Sequence, residues 1–377
     1  MKGLFLTFEE LSDSSGISKK IVSQKKALEH NGIDIELAQI RENILGFKEL
    51  TVDDKTIVNY KRGIFFKINY FIKYSNLYRY ILEEKMDFLY IRYVHYATPF
   101  FVQFLKKMHK KKVRLILEIP TFPYDDEYQN LKFLSHIKVL IEKKCRKLMS
   151  KYLEKIVTVS DHDFIFGVQT IKISNGVDFA SIKLKQNILY ASNDIHLIGV
   201  ASIKRWHGFD RLILGLSEFY KKEQELKVYF NIISGKGDEE TLLFLKQLVK
   251  IKGLSEYVNF FGEVYGAKLD HLFDKSNIGV GSLGCHRIGI SEIRILKNRE
   301  YAARGIPFCY SGNDVDFDGK PYILKISADE STIDIEHIIK FYQNLSMSPE
   351  EIRESVKDSI TWNVQMAKVA NCILEKL

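Results

Sequence analysis

The 377-residue sequence predicts an α/β protein built from two doubly wound, parallel-sheet domains. Short segments rich in Ile, Val, Leu and aromatic residues alternate with longer amphipathic ones, the pattern of βαβ units. The alternation runs through twice, on either side of a polar stretch from Lys183 to Asn193. At about 100–200 residues per domain, the length also asks for two domains.

In the first series, strands are predicted over 2–7, 34–38, 56–59, 87–92, 113–119 and 155–160. Helices are predicted near 18–31, 64–84, 97–111, 128–152 and 162–166. The second series places strands near 195–201, 227–233, 257–261, 277–282, 307–310 and 322–326. Its helices fall near 208–222, 238–252, 267–274, 294–304 and 334–346. The domains are therefore 1–180 and 190–359. Residues 348–377 are helical in pattern, opened by Ser348-Pro349-Glu350-Glu351, with proline in the first turn and acids on the dipole. Sheets of this type bind ligands outside the carboxyl ends of their strands, so two of them joined by one linker predict a central cleft.

With 46% apolar and 28% charged residues, the composition suits globular domains with sizeable cores. No run approaches the roughly 18 apolar residues of a spanning helix. The Gly3 to Phe8 start passes directly into Glu9 and Glu10, unlike a signal peptide. A cytoplasmic protein is expected. Cys145, Cys285, Cys309 and Cys372 lack metal or redox spacing and read as reduced thiols. His95, His162, His207, His271 and His286 form no i, i+4 pair, so no metal and no cofactor is expected.

The net charge of +8 lies wholly in the first half. Residues 1–180 hold 30 Lys+Arg against 22 Asp+Glu, and residues 181–377 hold 26 against 26. Either an anionic surface or ligand meets the first domain, or these are ordinary solvated helix faces. The basic amphipathic stretch from Lys132 to Lys147 reads as an element at the inner face of an anionic membrane, or as a half-buried packing helix. Phe65 to Tyr80 and Lys106 to Lys112 add rings and cations. Mixed charge without a Lys/Arg–aromatic stripe argues against nucleic acid.

Glu292 and Glu300 stand eight residues apart, just ahead of a Gly305-Ile306-Pro307 helix stop. A helix starting just after Glu292 sets them about 12 Å apart, with free backbone N–H groups between. That arrangement suits a ligand with hydroxyls at both ends and a diphosphate between, such as a nucleotide-sugar. The strand-end loop Gly235-Lys236-Gly237-Asp238 reads either as a phosphate cradle or as a tight turn, and Asp238 favours the turn by capping a helix. Ser12 to Lys20, with Ser15 and Gly16, lets backbone approach a ligand, or is a plain loop with Ser18 as N-cap. Lys204, Arg205 and His207, with Arg211, follow the first strand of the second series and either offer cations to a diphosphate or are only surface residues; the strand end and the Gly208 break favour the former. His95, after the 87–92 strand, is the candidate for contact with an acceptor or a developing charge. The loop from Glu118 to Glu127 is either an acidic acceptor wall or a crossover.

Taken in order, the Gly16 loop, Asn175-Gly176-Val177-Asp178, Gly235-x-Gly237 and the Glu292 to Pro307 block resemble the retaining glycosyltransferases of family 4, which have the GT-B fold of two facing Rossmann-like domains. The resemblance covers essentially the whole chain. It implies that Glu300 binds the ribose, Glu292 lies by the donor sugar and the amides of Ile293 and Arg294 hold the phosphates. It also implies that 360–377 returns to the first, acceptor-binding domain and that the second binds the donor. The family has an arginine and a lysine where this chain has Ser202 and His207. Arg205, Lys204, Arg211 and Lys297 are the candidates to replace them. The implied reaction is metal-independent transfer of a hexosyl group, with retention, from a nucleotide-sugar with UDP as the expected nucleotide. The expected acceptor is a lipid-linked saccharide in cell-envelope or capsular polysaccharide synthesis. A nucleotide-sugar epimerase or hydrolase of the same fold, and a non-catalytic nucleotide-sugar- or nucleic-acid-binding protein, are the alternatives.

Overall fold

The computed structural model describes residues 1–12, 15–60, 72–94, 97–125, 133–186, 194–235 and 237–375. The chain divides into two compact units, Met1–Gly176 together with Trp362–Leu377, and Val177–Thr361. The division falls at Gly176, ahead of the polar stretch that marks it in the sequence.

The first unit is a nine-stranded sheet in the order β4-β3-β2-β1-β5-β6-β7-β9-β8. Its strands are β1 (Lys2–Glu10), β2 (Asp34–Glu42), β3 (Lys48–Val52), β4 (Lys55–Asn59), β5 (Phe88–Arg92), β6 (Arg114–Ile119), β7 (Lys155–Thr158), β8 (Phe164–Ile165) and β9 (Val168–Lys172). β2, β1, β5, β6, β7 and β9 run parallel. Every residue of β5 is buried, as expected of a parallel strand covered on both faces. Helices α1 (Gly16–His30), α2 (Ser75–Glu83), α3 (Pro99–Lys110) and α4 (Phe133–Met149) connect the strands.

The edges of this sheet depart from expectation. β3 pairs antiparallel with β2 and β4 and was not anticipated. It turns into β4 through Asp53 and Asp54, both with positive φ, where the usual signal for such a hairpin contains glycine. The helix expected over 162–166 is instead the β8–β9 hairpin, turned by Phe166 and Gly167 with positive φ.

In the second unit, β10 (Ile195–Ala201), β11 (Val228–Ser234), β12 (Val258–Gly262), β13 (Ile278–Val280), β14 (Phe308–Ser311) and β15 (Ile323–Ile326) form a wholly parallel sheet. Helices α5 (Phe209–Phe219), α6 (Glu239–Ile251), α7 (Ala267–Asp274), α8 (Leu296–Arg304), α9 (Ile335–Gln343) and α10 (Pro349–Glu354) belong to it. The order β12-β11-β10-β13-β14-β15 reverses direction between β10 and β13. In doubly wound sheets, the crevice at that reversal is where ligands bind. α8 ends as predicted: Gly305 takes a φ of 73°, and a Cβ there would meet the Pro349 carbonyl oxygen at 2.2 Å.

The chain then returns to the first unit as α11 (Trp362–Leu374). Gln365 Oε1 accepts from the Ser174 N–H at 2.7 Å, and Asn31 Nδ2 donates to the Asn363 carbonyl at 3.1 Å. The helix end is closed by Arg114, which donates to the carbonyls of Cys372 and Ile373. Among the described residues no helix is long and apolar enough to cross a membrane.

Candidate functional site

The loops leaving β10, β11, β13 and β14 gather at the crevice of the second unit. The first two are locked together. A Cβ on Gly237 would stand 2.5 Å from the Ile203 nitrogen, and the Asp238 N–H donates to the Ile203 carbonyl at 2.8 Å. Asp238 also caps α6, accepting from the Thr241 N–H at 3.2 Å. Gly-x-Gly is therefore a packing device in which Gly237 is the required residue. A side chain at Gly235 would meet only Ser202 Oγ, at 3.6 Å, and Glu263. Lys236 lies outside the described residues.

The strand-end cations separate into distinct fates. Arg211 is buried and donates to the carbonyls of Leu283, Ser327 and Ser331, so its guanidinium is a clamp. Arg205 is exposed, and its carbonyl accepts from Arg287 Nη1 at 2.9 Å. Arg287 itself is neutralised by Asp210 and Glu330. Lys204 is half-buried, with Nζ 6.0 Å from the Trp206 ring centroid. Its backbone N–H donates to His207 Nδ1 at 3.0 Å, which leaves the imidazole proton on Nε2. Burial holds His207 well below its ordinary pKa, so it is a neutral donor.

Glu292 and the residues after it are extended, not helical. Glu292 forms a β-bridge with Asn313, and its Oε1 accepts from Asn313 Nδ2 at 2.9 Å. The Ile293 N–H donates to the Asn313 carbonyl at 2.7 Å. That bond takes Ile293 out of the set of free amides expected to face phosphate, and its side chain is buried. Arg294 follows in the same extended run, half-buried. α8 begins only at Leu296, so the path between the glutamates is about 19 Å, not the about 12 Å of a continuous helix. The helix start presents Leu296 and Lys297, with Ile295 at the N-cap and no side chain capping it.

Lys297 is the unexpected element. Its Nζ is buried, 5.2 Å from the Phe209 ring centroid, and has no hydrogen-bond partner among the described residues. Burial lowers its pKa to about 7, against weak opposition from Cys285 and Cys309. Glu300, about one turn from the helix start, is half-buried; its Oε1 accepts from Arg304 Nε at 3.0 Å and Nη2 at 2.9 Å. Arg304 also pairs with Asp270 and stacks on Phe273. Oε2 of Glu300 accepts no hydrogen bond among the described residues. The sequence reading missed Asn313. Its signal was another glycine at a strand end, Gly312, directly after β14.

In the first unit Ser15, not Ser18, is the N-cap of α1, accepting from the Ser18 N–H at 3.3 Å. Ser18 is buried, its Oγ accepting from the Ser12 N–H at 3.0 Å. A Cβ on Gly16 would meet nothing within 4 Å, so the position is open. His95 lies outside the described residues. Glu118 and Asp125 do not form an acidic wall. Glu118 is buried against Lys20 and Arg92, and Asp125 pairs with Arg146.

No family model and no curated protein sequence matches the chain. Solved structures do. A glycosyltransferase from Rickettsia africae aligns over 100% of this chain and 99% of its own, with a TM-score of 0.67 at 13% identity. Sucrose-phosphate synthase from Thermosynechococcus elongatus aligns over 98% and 97%, with a TM-score of 0.65 at 12% identity. HepE from Anabaena, in complex with UDP and glucose, aligns over 100% of both chains, with a TM-score of 0.63 at 13% identity. The chain has the α/β fold of two parallel-sheet domains found in GT-B glycosyltransferases.

Proposed function

We propose that this chain is a retaining, metal-independent glycosyltransferase that moves a sugar from a nucleotide-sugar, with UDP as nucleotide, to an acceptor hydroxyl. One observation carries the reading: the uncapped start of α8 and the unpartnered amine of Lys297 stand together at the reversal point of the second sheet, with Glu300 on the same helix. A helix N-terminus and a cation are what a departing diphosphate requires. Breaking the anomeric bond builds positive charge on the sugar and negative charge on the diphosphate. Amides at Leu296 and Lys297, the Lys297 amine and the His207 Nε2–H stabilise that negative charge in the transition state. Lys204 and Arg205 supply a more distant positive field. Glu300 offers Oε2 to the ribose hydroxyls, while Arg304 fixes Oε1. Glu292, oriented by Asn313, meets the donor sugar. The UDP bound in the similarly folded HepE supports a UDP donor, and the ADP bound in the similarly folded starch synthase IV makes an ADP-sugar the comparison to test.

For the acceptor, a lipid-linked saccharide at an anionic membrane surface fits two features of the first unit. α4 exposes Ile137, Leu140, Ile141 and Leu148 among lysines. A groove of about 560 Å³ between α2 and α3 combines Ile72, Leu82 and Phe100 with Lys73, Arg79 and Lys107. Such a surface is expected to bind anionic liposomes and release them at high salt; salt-independent absence from the liposome pellet removes the membrane element.

The enzymatic test is incubation with UDP- and ADP-sugars, with and without a lipid-linked saccharide. Nucleotide release that depends on the acceptor is expected. Equal release without it would mark a hydrolase, and binding without turnover a binding protein. In Glu300→Ala, UDP affinity is expected to fall about tenfold to a hundredfold, the loss of a hydrogen bond to a charged group. Unchanged affinity ends the ribose assignment.

A further inference from the structure

We propose that Lys297 waits in the empty site as an uncharged amine and takes a proton from solvent when the diphosphate of the donor binds, so that donor binding is coupled to proton uptake. The inference rests on the donor site described above and adds to it the protonation state of its cation.

The surroundings of the amine carry it. Phe209 of α5 lies beneath it, 5.2 Å away at the ring centroid. The titratable groups facing it from neighbouring elements are His207 from the loop after β10, Cys285 from the turn after β13 and Cys309 of β14. His207 is a neutral donor here, because its Nδ1 is already occupied by the Lys204 N–H. Both thiols are buried and held protonated, with Cys309 pushed up to about 12. On its own helix, Arg299 is tied to Asp314 and Asp316, leaving those carboxylates committed to the guanidinium. Among the described residues no anion therefore offsets a charge on Lys297, and a buried ammonium without one is strongly disfavoured.

A buried Lys297 with a pKa near 7 is mostly neutral at the alkaline side of neutrality. A diphosphate at the start of α8 reverses the balance, since two negative phosphates favour the charged form. The step is a simple protonation: the Nζ lone pair accepts a proton from water or buffer, and no other bond changes.

The test is titration calorimetry of UDP and of ADP into the full-length protein at pH 8 and pH 6, in two buffers of different ionisation enthalpy. At pH 8, uptake of most of a proton per nucleotide is expected, falling severalfold at pH 6, where the amine is already largely charged. Affinity then drops nearly tenfold per pH unit above about pH 7. Lys297→Met is expected to bind more weakly and without uptake, while His207→Gln keeps the uptake. Binding at pH 8 with no buffer dependence overturns the inference and leaves the donor site standing. Uptake that survives in Lys297→Met assigns the proton elsewhere and also overturns it. If neither nucleotide binds, the donor site fails and the inference with it.

Discussion

Among the described residues, each unit buries one lysine near the start of a helix, Lys20 and Lys297, and the two are treated in opposite ways. Lys20 in α1 lies 3.2 Å from Glu118, which also accepts from Arg92 at 2.7 Å, Tyr90 at 2.9 Å and Gln24 at 3.1 Å. The Trp362 ring stands 5.6 Å from its amine. Burial pushes the Glu118 carboxyl up, but Lys20 and Arg92 overcome it and leave the group ionised. Lys297 in α8 has thiols, a neutral imidazole and a phenyl ring instead. Both amines are lowered by burial, to about 8 and about 7. The difference is that the first amine has a carboxylate partner and the second has none among the described residues. A compensated buried charge acts as a structural joint between β1, β5, β6 and α1, whereas a buried amine without an anion is, under the proposal above, a place for a ligand's negative charge.

The largest effect should come from breaking the complete site. Glu118→Ala removes the carboxylate that Lys20 and Arg92 share in the buried joint, with Glu9 standing 3.5 Å from Arg92. A loss of about 3–5 kcal/mol in urea denaturation is expected, the usual cost of stranding a buried charge. A loss below about 1 kcal/mol would show that water or rearrangement already compensates these cations, and the contrast between the two lysines would collapse.

At the incomplete site the sign reverses. Lys297→Met is expected to stabilise the unliganded protein, by about 2 kcal/mol near neutral pH, because a methionine fills the same space without a charge to desolvate. The folded pKa of about 7 lies below the unfolded 10.5, so the unfolded chain binds more protons between those values. Stability contributed at this position therefore rises with pH across that window, and the penalty is complete below it. The gain in Tm on substitution should be greatest at pH 7 and below and fade towards pH 10. A variant no more stable than the parent at pH 7 would mean that Lys297 has a partner in solution.

Much of this contrast was beyond the sequence for a definable reason. Strand–helix alternation, the Gly305-Ile306-Pro307 stop and the glutamate spacing are local signals, and both sheets follow from them. The edges were lost where turns use unusual residues, at Asp53-Asp54 and Phe166-Gly167. The helix expected from 294 begins at Leu296, two residues later, because Glu292 and Ile293 pair with Asn313 as an extended segment, a contact between residues distant in sequence. Lys297 was legible as a cation, but its isolation was not. His207, Cys285 and Cys309 come from three separate segments, and only tertiary packing shows that none of them supplies a negative charge.

The helix starts extend the comparison to its smallest expected effect. α1 is capped by Ser15 and α8 by nothing, so the first has satisfied its own end and the second leaves N–H groups for a ligand. Ser15→Ala should cost about 1 kcal/mol of stability, the value of a lost N-cap, and leave UDP affinity unchanged. Denaturation and calorimetry on the same preparation separate the two roles. If affinity for UDP falls severalfold while stability holds, Ser15 contacts the donor, and α1 joins α8 as a helix whose start is kept for a ligand.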